Sequence, residues 1–132
     1  LNVSRSFKKL VALLITHMLV KNFGQGKPPL NAEQISHALE IPIRLVRDIL
    51  FELLQAKVLS ESTNNTDKVI AYQPARDPEN ITIQFVIDAL EHQGTADIPI
   101  AQTDAMQNIS NTMNNFANQL QKSSANVPLK NI

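Results

Sequence analysis

The sequence predicts a mainly α-helical fold with one small β-hairpin and an additional helix near the C-terminus. Three observations support this prediction. Apolar residues recur at intervals of three and four over most of residues 4–56, as they do on one face of a helix. Two short runs of β-prone residues, 58–62 and 68–72, then interrupt the helical period. The helical period returns twice more, over residues 82–93 and 103–122.

A long first helix is predicted over residues 4–23. Ser4 or Ser6 can cap its beginning, and Gly24 can end it. This end of the chain is basic, since residues 1–30 contain five cations and no acid. The five are Arg5, Lys8, Lys9, Lys21 and Lys27.

A helix-turn-helix is predicted over residues 31–56. Asn31 and Gln34 have the spacing of a capping box, which begins a short helix. Pro42 ends that helix, because the residue before a proline is disfavoured in the α conformation. The third helix runs from about Ile43 to Ala56, and its apolar side is formed by Leu45, Val46, Ile49, Leu50, Leu53 and Leu54.

A hairpin and a further helix follow. Residues 63–67 contain the Asn and Asp side chains that suit the turn between the two β-prone runs, and Pro74 ends the second run. Thr82 can cap the next helix, which Gly94 closes. This order of elements is that of a winged helix-turn-helix with its wing over residues 58–74. We therefore interpret residues 1–94 as a winged-helix domain and residues 95–132 as an extension.

The extension contains one helix, over residues 103–122, and then an extended tail. One side of this helix is a narrow apolar seam of the coiled-coil type. The partner of the seam is the first helix of the same chain, the same segment of a second copy, or another protein. The seam consists of Met106, Ile109, Met113, Phe116 and Leu120.

Few cations lie on the third helix and the wing, the elements through which a winged helix contacts nucleic acid. The chain has 12 basic and 12 acidic residues, which argues against a strongly basic nucleic-acid binder. Arg44 and Arg47 are the cations of the third helix, and Lys57 and Lys68 can flank them from the wing. These four side chains predict weak, salt-sensitive binding if they contact phosphates. The alternative is surface ion pairing, for example of Arg44 with Asp48 at i, i+4.

No residue pattern predicts catalysis, a metal site or a cofactor. The chain has no cysteine, which excludes disulfides, thiolate zinc sites and cysteine-ligated clusters. Its three glycines do not form a phosphate-binding loop. The histidines, His17, His37 and His92, fall singly on three predicted helices. We therefore expect no catalytic residues, no metal, no cofactor and no small-molecule substrate.

The sequence resembles two families. The winged helix, with Ile81-Thr82-Ile83 leading into residues 86–91, is similar to a bacterial repressor family whose best-known members sense iron–sulfur clusters. Those sensors need cysteines that this chain lacks, so the resemblance does not imply that this chain senses iron–sulfur clusters. A resemblance to the soluble C-terminal domain of the YihY/BrkB inner-membrane proteins covers nearly the whole chain. It rests on residues 41–47, 72–77, 85–90 and 124–127, which look like those of Bacteroidetes members.

The YihY/BrkB resemblance implies a multi-helix membrane domain before Leu1 and a location on the cytoplasmic side of the bacterial inner membrane. Arg5, Lys8 and Lys9 would then lie close to the membrane, where cations meet anionic headgroups. The longest apolar run, residues 10–20, is too short to span a bilayer, so we expect this part of the protein to be soluble. The family has carried the label ribonuclease BN, but no metal-ligand cluster here supports nuclease chemistry.

Three functions compete on these grounds. The first is a non-catalytic regulatory or interaction module, the cytoplasmic domain of a YihY/BrkB-like protein, which binds its own transmembrane domain, itself or another protein. The second is a DNA-binding transcription regulator that dimerises through its first helix and the seam. The third is a tRNA-processing ribonuclease. The small number of cations on the third helix and the basic N-terminal segment favour the first.

Overall fold

The computed structural model describes residues 2–63, 68–94, 96 and 98–132. Its fold is mainly helical with a small antiparallel sheet, and the predicted fold class is confirmed. The helices and strands are α1 (Arg5–Gly24), β1 (Leu30–Asn31), α2 (Ala32–Leu39), α3 (Ile43–Gln55), β2 (Leu59–Thr63), β3 (Ile70–Pro74), α4 (Ile83–Glu91) and α5 (Asp104–Lys122). Single 3-10 turns occur at Pro78–Asn80 and Leu129–Asn131.

The sheet has three antiparallel strands in the order β1-β3-β2. Strands β2 and β3 form the wing, in a register that pairs Leu59 with Pro74 and Thr63 with Ile70. The turn predicted between these strands falls on residues 64–67, outside the described residues. Strand β1 was not predicted, because two residues are too few to show a period and their pairing with β3 is non-local.

Side-chain caps define where four of the helices begin. Ser4 accepts a hydrogen bond from the amide of Phe7 at 3.1 Å at the start of α1. Asn31 and Gln34 form the predicted capping box of α2, with hydrogen bonds of 2.8 and 2.9 Å. Thr82 caps α4, and Thr103 caps α5 in the same way. Helix α3 instead follows Pro42, which holds the tight turn of the helix-turn-helix.

Helix α1 crosses the centre of the core. Its buried side packs together with α2, α3, the start of β2 and α4 around side chains that are 2% exposed or less. Burying each of these aliphatic side chains stabilises the fold by roughly 1.5–3 kcal/mol. The largest of them are Ile15, Leu19, Ile35, Ile49, Leu50, Leu53 and Ile81. Because α3 contributes three of these residues, its opposite side is held facing outward.

The C-terminal tail returns to the core after α5. Leu129 is 2% exposed, and its amide donates a hydrogen bond of 2.9 Å to the carbonyl of Ile81. Ile83 donates to the carbonyl of Val127 at 3.2 Å, so the tail also ties down the start of α4. The sequence indicated only an extended tail, since a single buried leucine in a proline-containing segment has no periodicity.

Candidate nucleic-acid interface

The exposed side of α3 carries the two predicted arginines and an aromatic residue. Arg44, Arg47, Asp48, Phe51 and Gln55 are all exposed, on the side opposite the buried Leu45, Val46, Ile49, Leu50 and Leu53. Phe51 is 61% exposed, more than any other large apolar side chain of this helix. Phe51 was not among the predicted contact residues because it follows two apolar residues in the sequence. The helical period nevertheless places Phe51 on the polar side of α3, and this placement is the sequence signal that identifies it as exposed.

The two arginines form no ion pair with any residue that the structure describes. Within the described residues, neither Arg44 nor Arg47 has a carboxylate within 4 Å, so the alternative ion pair of Arg44 with Asp48 does not form. The same holds for Lys57 and Lys68 of the wing region, again among the residues that the structure describes. All four side chains are exposed. Their charges are therefore available to an external anion.

The cations of α1 are arranged differently. Lys8 forms an ion pair of 2.8 Å with Glu52 of α3, and Lys9 forms one of 2.6 Å with Glu91 of α4. Arg5 is exposed at the first residue of α1. The basic N-terminal segment is thus partly neutralised by acids that are distant in sequence, which a count of charges along the chain cannot reveal.

Lys57 and Lys68 have left-handed backbone conformations, with φ values of 61° and 58°. Lys57 directly follows the C-cap residue of α3. Its amide donates to the carbonyl of Leu54 at 3.0 Å, and the amide of Val58 donates to the carbonyl of Leu53 at 3.0 Å. This is a Schellman motif, in which glycine is the usual left-handed residue. A lysine in place of glycine costs about 1 kcal/mol of conformational strain, and such strain is typical of functional sites.

A cleft of about 470 Å³ separates α3 from the wing. It combines cations, an acid and two aromatic rings, and Arg47 and Lys57 both contribute to it. Burial raises the pKa of the Tyr72 hydroxyl, the nearby Glu61 carboxylate raises this pKa further, and Arg47 partly opposes the increase. The cleft is lined by Arg47, Phe51, Leu54, Gln55, Lys57, Glu61 and Tyr72.

Of the four predicted contact residues, the structure brings two together at this cleft. Arg47 comes from α3 and Lys57 from the turn after it. Arg44 lies about one helical turn before Arg47, and Lys68 lies two residues before β3; neither lines the cleft. Tyr72 was not among the predicted site residues, because its position beside α3 follows from the pairing of the wing strands.

Two exposed apolar faces lie on other helices. In α5, Met106 is half-buried, while Ile109, Met113, Phe116 and Leu120 are between 53% and 64% exposed. In α1, Phe7, Leu10 and Leu14 are between 40% and 51% exposed. Of the three partners considered for the seam, the first helix of the same chain does not cover it in the described part of the structure.

The described residues show neither a metal site nor a membrane span. No group of three His, Cys, Asp or Glu side chains among them is arranged to hold a metal ion. None of the described helices has both the length and the apolar character that a membrane span requires.

The fold is similar to those of solved bacterial proteins. IscR of T. potens matches with a TM-score of 0.59 and 16% identity, over 91% of this chain and 80% of that one. CymR (YrzC), the global cysteine regulator of B. subtilis, matches with a TM-score of 0.62 and 14% identity, over 98% and 95%. The oxidized form of Staphylococcus aureus CymR matches with a TM-score of 0.59 and 18% identity, over 98% and 94%. No family model and no curated protein matches the sequence.

These similarities overturn the YihY/BrkB resemblance. The similar structures are IscR and the cysteine regulator CymR, not domains of inner-membrane proteins. The expected location on the inner membrane rested on that resemblance and is wrong as well, and a transmembrane partner domain loses its support. The resemblance misled because the stretches that carried it include the proline-broken helix-turn-helix and an apolar helix face. A winged helix needs both features whatever its function.

Proposed function

We propose that this protein is a dimeric winged-helix transcription regulator that binds duplex DNA. The proposal rests on Arg44 and Arg47, which lie on the exposed side of α3 and form no ion pair with the described residues. In the helix-turn-helix class, the third helix lies in the major groove. The structural similarity to the regulator CymR supports the same function.

The four cations divide into two groups by position. Arg44 and Arg47 lie on α3, from which arginine side chains can reach guanine edges and neighbouring phosphates. Lys57 lies just before β2 and Lys68 just before β3. From these positions both lysines contact the sugar–phosphate backbone. Contacts of the second kind set the register of the protein on DNA without reading its sequence. The left-handed backbone at both lysines is consistent with side chains retained for such contacts.

Dimerisation would bury the exposed apolar faces of α1 and α5. Their seven large side chains each expose roughly 100 Å², which together approaches the roughly 800 Å² per partner that stable interfaces bury. A second copy of the chain is the simplest occupant, because an interface around a two-fold axis uses the same residues from both copies. A dimer also places two α3 helices on one duplex and thereby compensates for the small number of cations on each.

Binding to duplex DNA tests the proposal. Fluorescence anisotropy of a labelled random duplex pool, with the full chain at low micromolar concentration and low salt, should show saturable, salt-sensitive binding. We expect the Arg44→Ala/Arg47→Ala variant to lose at least tenfold in affinity. The matched control is Lys9→Ala/Lys130→Ala, which removes the same charge from lysines paired with Glu91 and Glu79, and it should change affinity less than twofold. Absence of binding by the wild type refutes the proposal.

Sedimentation tests the dimer. The wild type should sediment as a dimer, and Met113→Asp/Phe116→Asp should sediment as a monomer because each aspartate places a charge in the apolar interface. Asn111→Asp/Asn114→Asp, on the same helix but outside the seam, is the control and should remain dimeric. A monomeric wild type at micromolar concentration contradicts the dimer.

A further inference from the structure

We infer that Phe51 reads the 5-methyl group of thymine in the major groove. The inference rests on the proposed function and specifies part of what α3 recognises there. It assigns Phe51 a role in specificity that is separate from the attraction of the four cations to phosphates.

The position of Phe51 on α3 supports this role. The neighbouring Leu50 and the nearby Leu53 are 1% and 0% exposed, which fixes the opposite side of the helix outward. Phe51 follows Arg47 by four residues and Arg44 by seven, so the three side chains form one outward row. At 1.5 Å per residue, Phe51 lies roughly 6 Å beyond Arg47 along the helix. Successive base pairs are about 3.4 Å apart, so Arg47 and Phe51 can contact different base pairs.

The chemistry of the phenyl ring limits what it can recognise. A phenyl ring neither donates nor accepts conventional hydrogen bonds, so it gains little from the polar edges of guanine, cytosine and adenine. The thymine methyl group is the apolar feature of the major-groove edge of a base pair, and phenylalanine is one of the side chains that contact it. Removal of both surfaces from water favours their contact.

The surroundings of Phe51 favour DNA over a protein partner. Phe51 shares its cleft with Arg47 and Lys57, and these cations match the phosphates that flank a base pair. The larger apolar faces of the chain lie elsewhere, on α1 and α5. A protein interface at Phe51 would place the two aromatic rings of the cleft, Phe51 and Tyr72, among charged side chains. The centres of protein interfaces are instead depleted in charged residues.

The test compares thymine with uracil in the same duplexes. Duplexes are first enriched from a random pool by repeated binding to the wild type, and are then synthesised with either thymidine or deoxyuridine. Burial of one methyl group is worth about fourfold in affinity. We therefore expect the wild type to bind the deoxyuridine duplexes about fourfold more weakly for each methyl group contacted. Phe51→Ala should bind both kinds equally, and Phe51→Leu should retain part of the preference.

Phe23→Ala is the matched control, because Phe23 is also exposed, at 50%, but lies at the end of α1. It should keep the full preference of the wild type. The inference is overturned if the wild type binds both kinds of duplex equally. It is also overturned if Phe51→Ala still prefers thymine, because the preference would then come from DNA shape. Failure of the wild type to bind any duplex refutes the proposed function itself.

Discussion

Replacing Lys57 with glycine should stabilise the protein and weaken its binding to DNA. The residue occupies the left-handed position of the Schellman motif after α3, with φ at 61°. An L-residue with a side chain pays roughly 1–2 kcal/mol for this conformation, and glycine does not. Part of that gain is offset because glycine has more conformational freedom in the unfolded chain. We expect Lys57→Gly to raise the free energy of unfolding by about 1 kcal/mol.

Thermal unfolding followed by circular dichroism measures the gain in stability of Lys57→Gly. For a chain of 132 residues, 1 kcal/mol corresponds to an increase in Tm of roughly 3–6 °C. Fluorescence anisotropy with duplex DNA measures the loss of DNA affinity in Lys57→Gly. Loss of one phosphate contact, at about 1 kcal/mol, should weaken binding about fivefold for each protomer.

Lys57→Ala separates strain from charge. It removes the same cation and keeps the Cβ atom that causes the strain, so it should weaken DNA binding equally without raising Tm. Two results would refute the reasoning. An unchanged Tm in Lys57→Gly would show that the strain at position 57 does not exceed the entropic cost of glycine. A stabilised Lys57→Gly with full DNA affinity would show that the lysine is not retained for DNA.

Two further predictions concern the cleft and the tail. Tyr72 is the single tyrosine of the chain, so its absorbance at alkaline pH reports it directly. Its titration midpoint should lie above 10.0, rise further in Arg47→Ala and fall in Glu61→Gln. Because burial raises this pKa in the folded state, the associated stability is complete below the unfolded pKa of 10.0 and is lost as the pH rises through the folded value. Tyr72→Phe should lack that alkaline loss. Leu129→Ala should lower the free energy of unfolding in urea by roughly 2–4 kcal/mol, whereas Ile132→Ala, at a side chain that is 60% exposed, should change it little.

The winged-helix elements were predictable because their signals are local. The capping pattern at Asn31, the proline at position 42 and the apolar period of α3 each act within a few residues. The structure agrees with all three.

The remaining features depend on partners that are distant in sequence. Lys8 and Lys9 pair with Glu52 and Glu91, so a charge count over residues 1–30 overstated how much of this basic segment is free. The burial of Leu129 against Ile81 is non-local in the same way. The membrane-protein resemblance failed for a different reason. Short stretches that satisfy the needs of the fold recur in proteins of unrelated function.

The salt dependence of DNA binding tests the central claim most directly. Each phosphate that a cation neutralises contributes about 0.9 to the slope of log affinity against log salt concentration. The wild-type dimer should therefore show a steep decrease in affinity with salt. In Lys57→Ala/Lys68→Ala, which loses four cations per dimer, the slope should be shallower by roughly 3 to 4.

Lys9→Ala/Lys130→Ala, with the same net charge, should keep the wild-type slope. A slope that is unchanged in Lys57→Ala/Lys68→Ala, or that changes equally in both variants, would contradict the assignment of α3 and the wing as the DNA-binding surface.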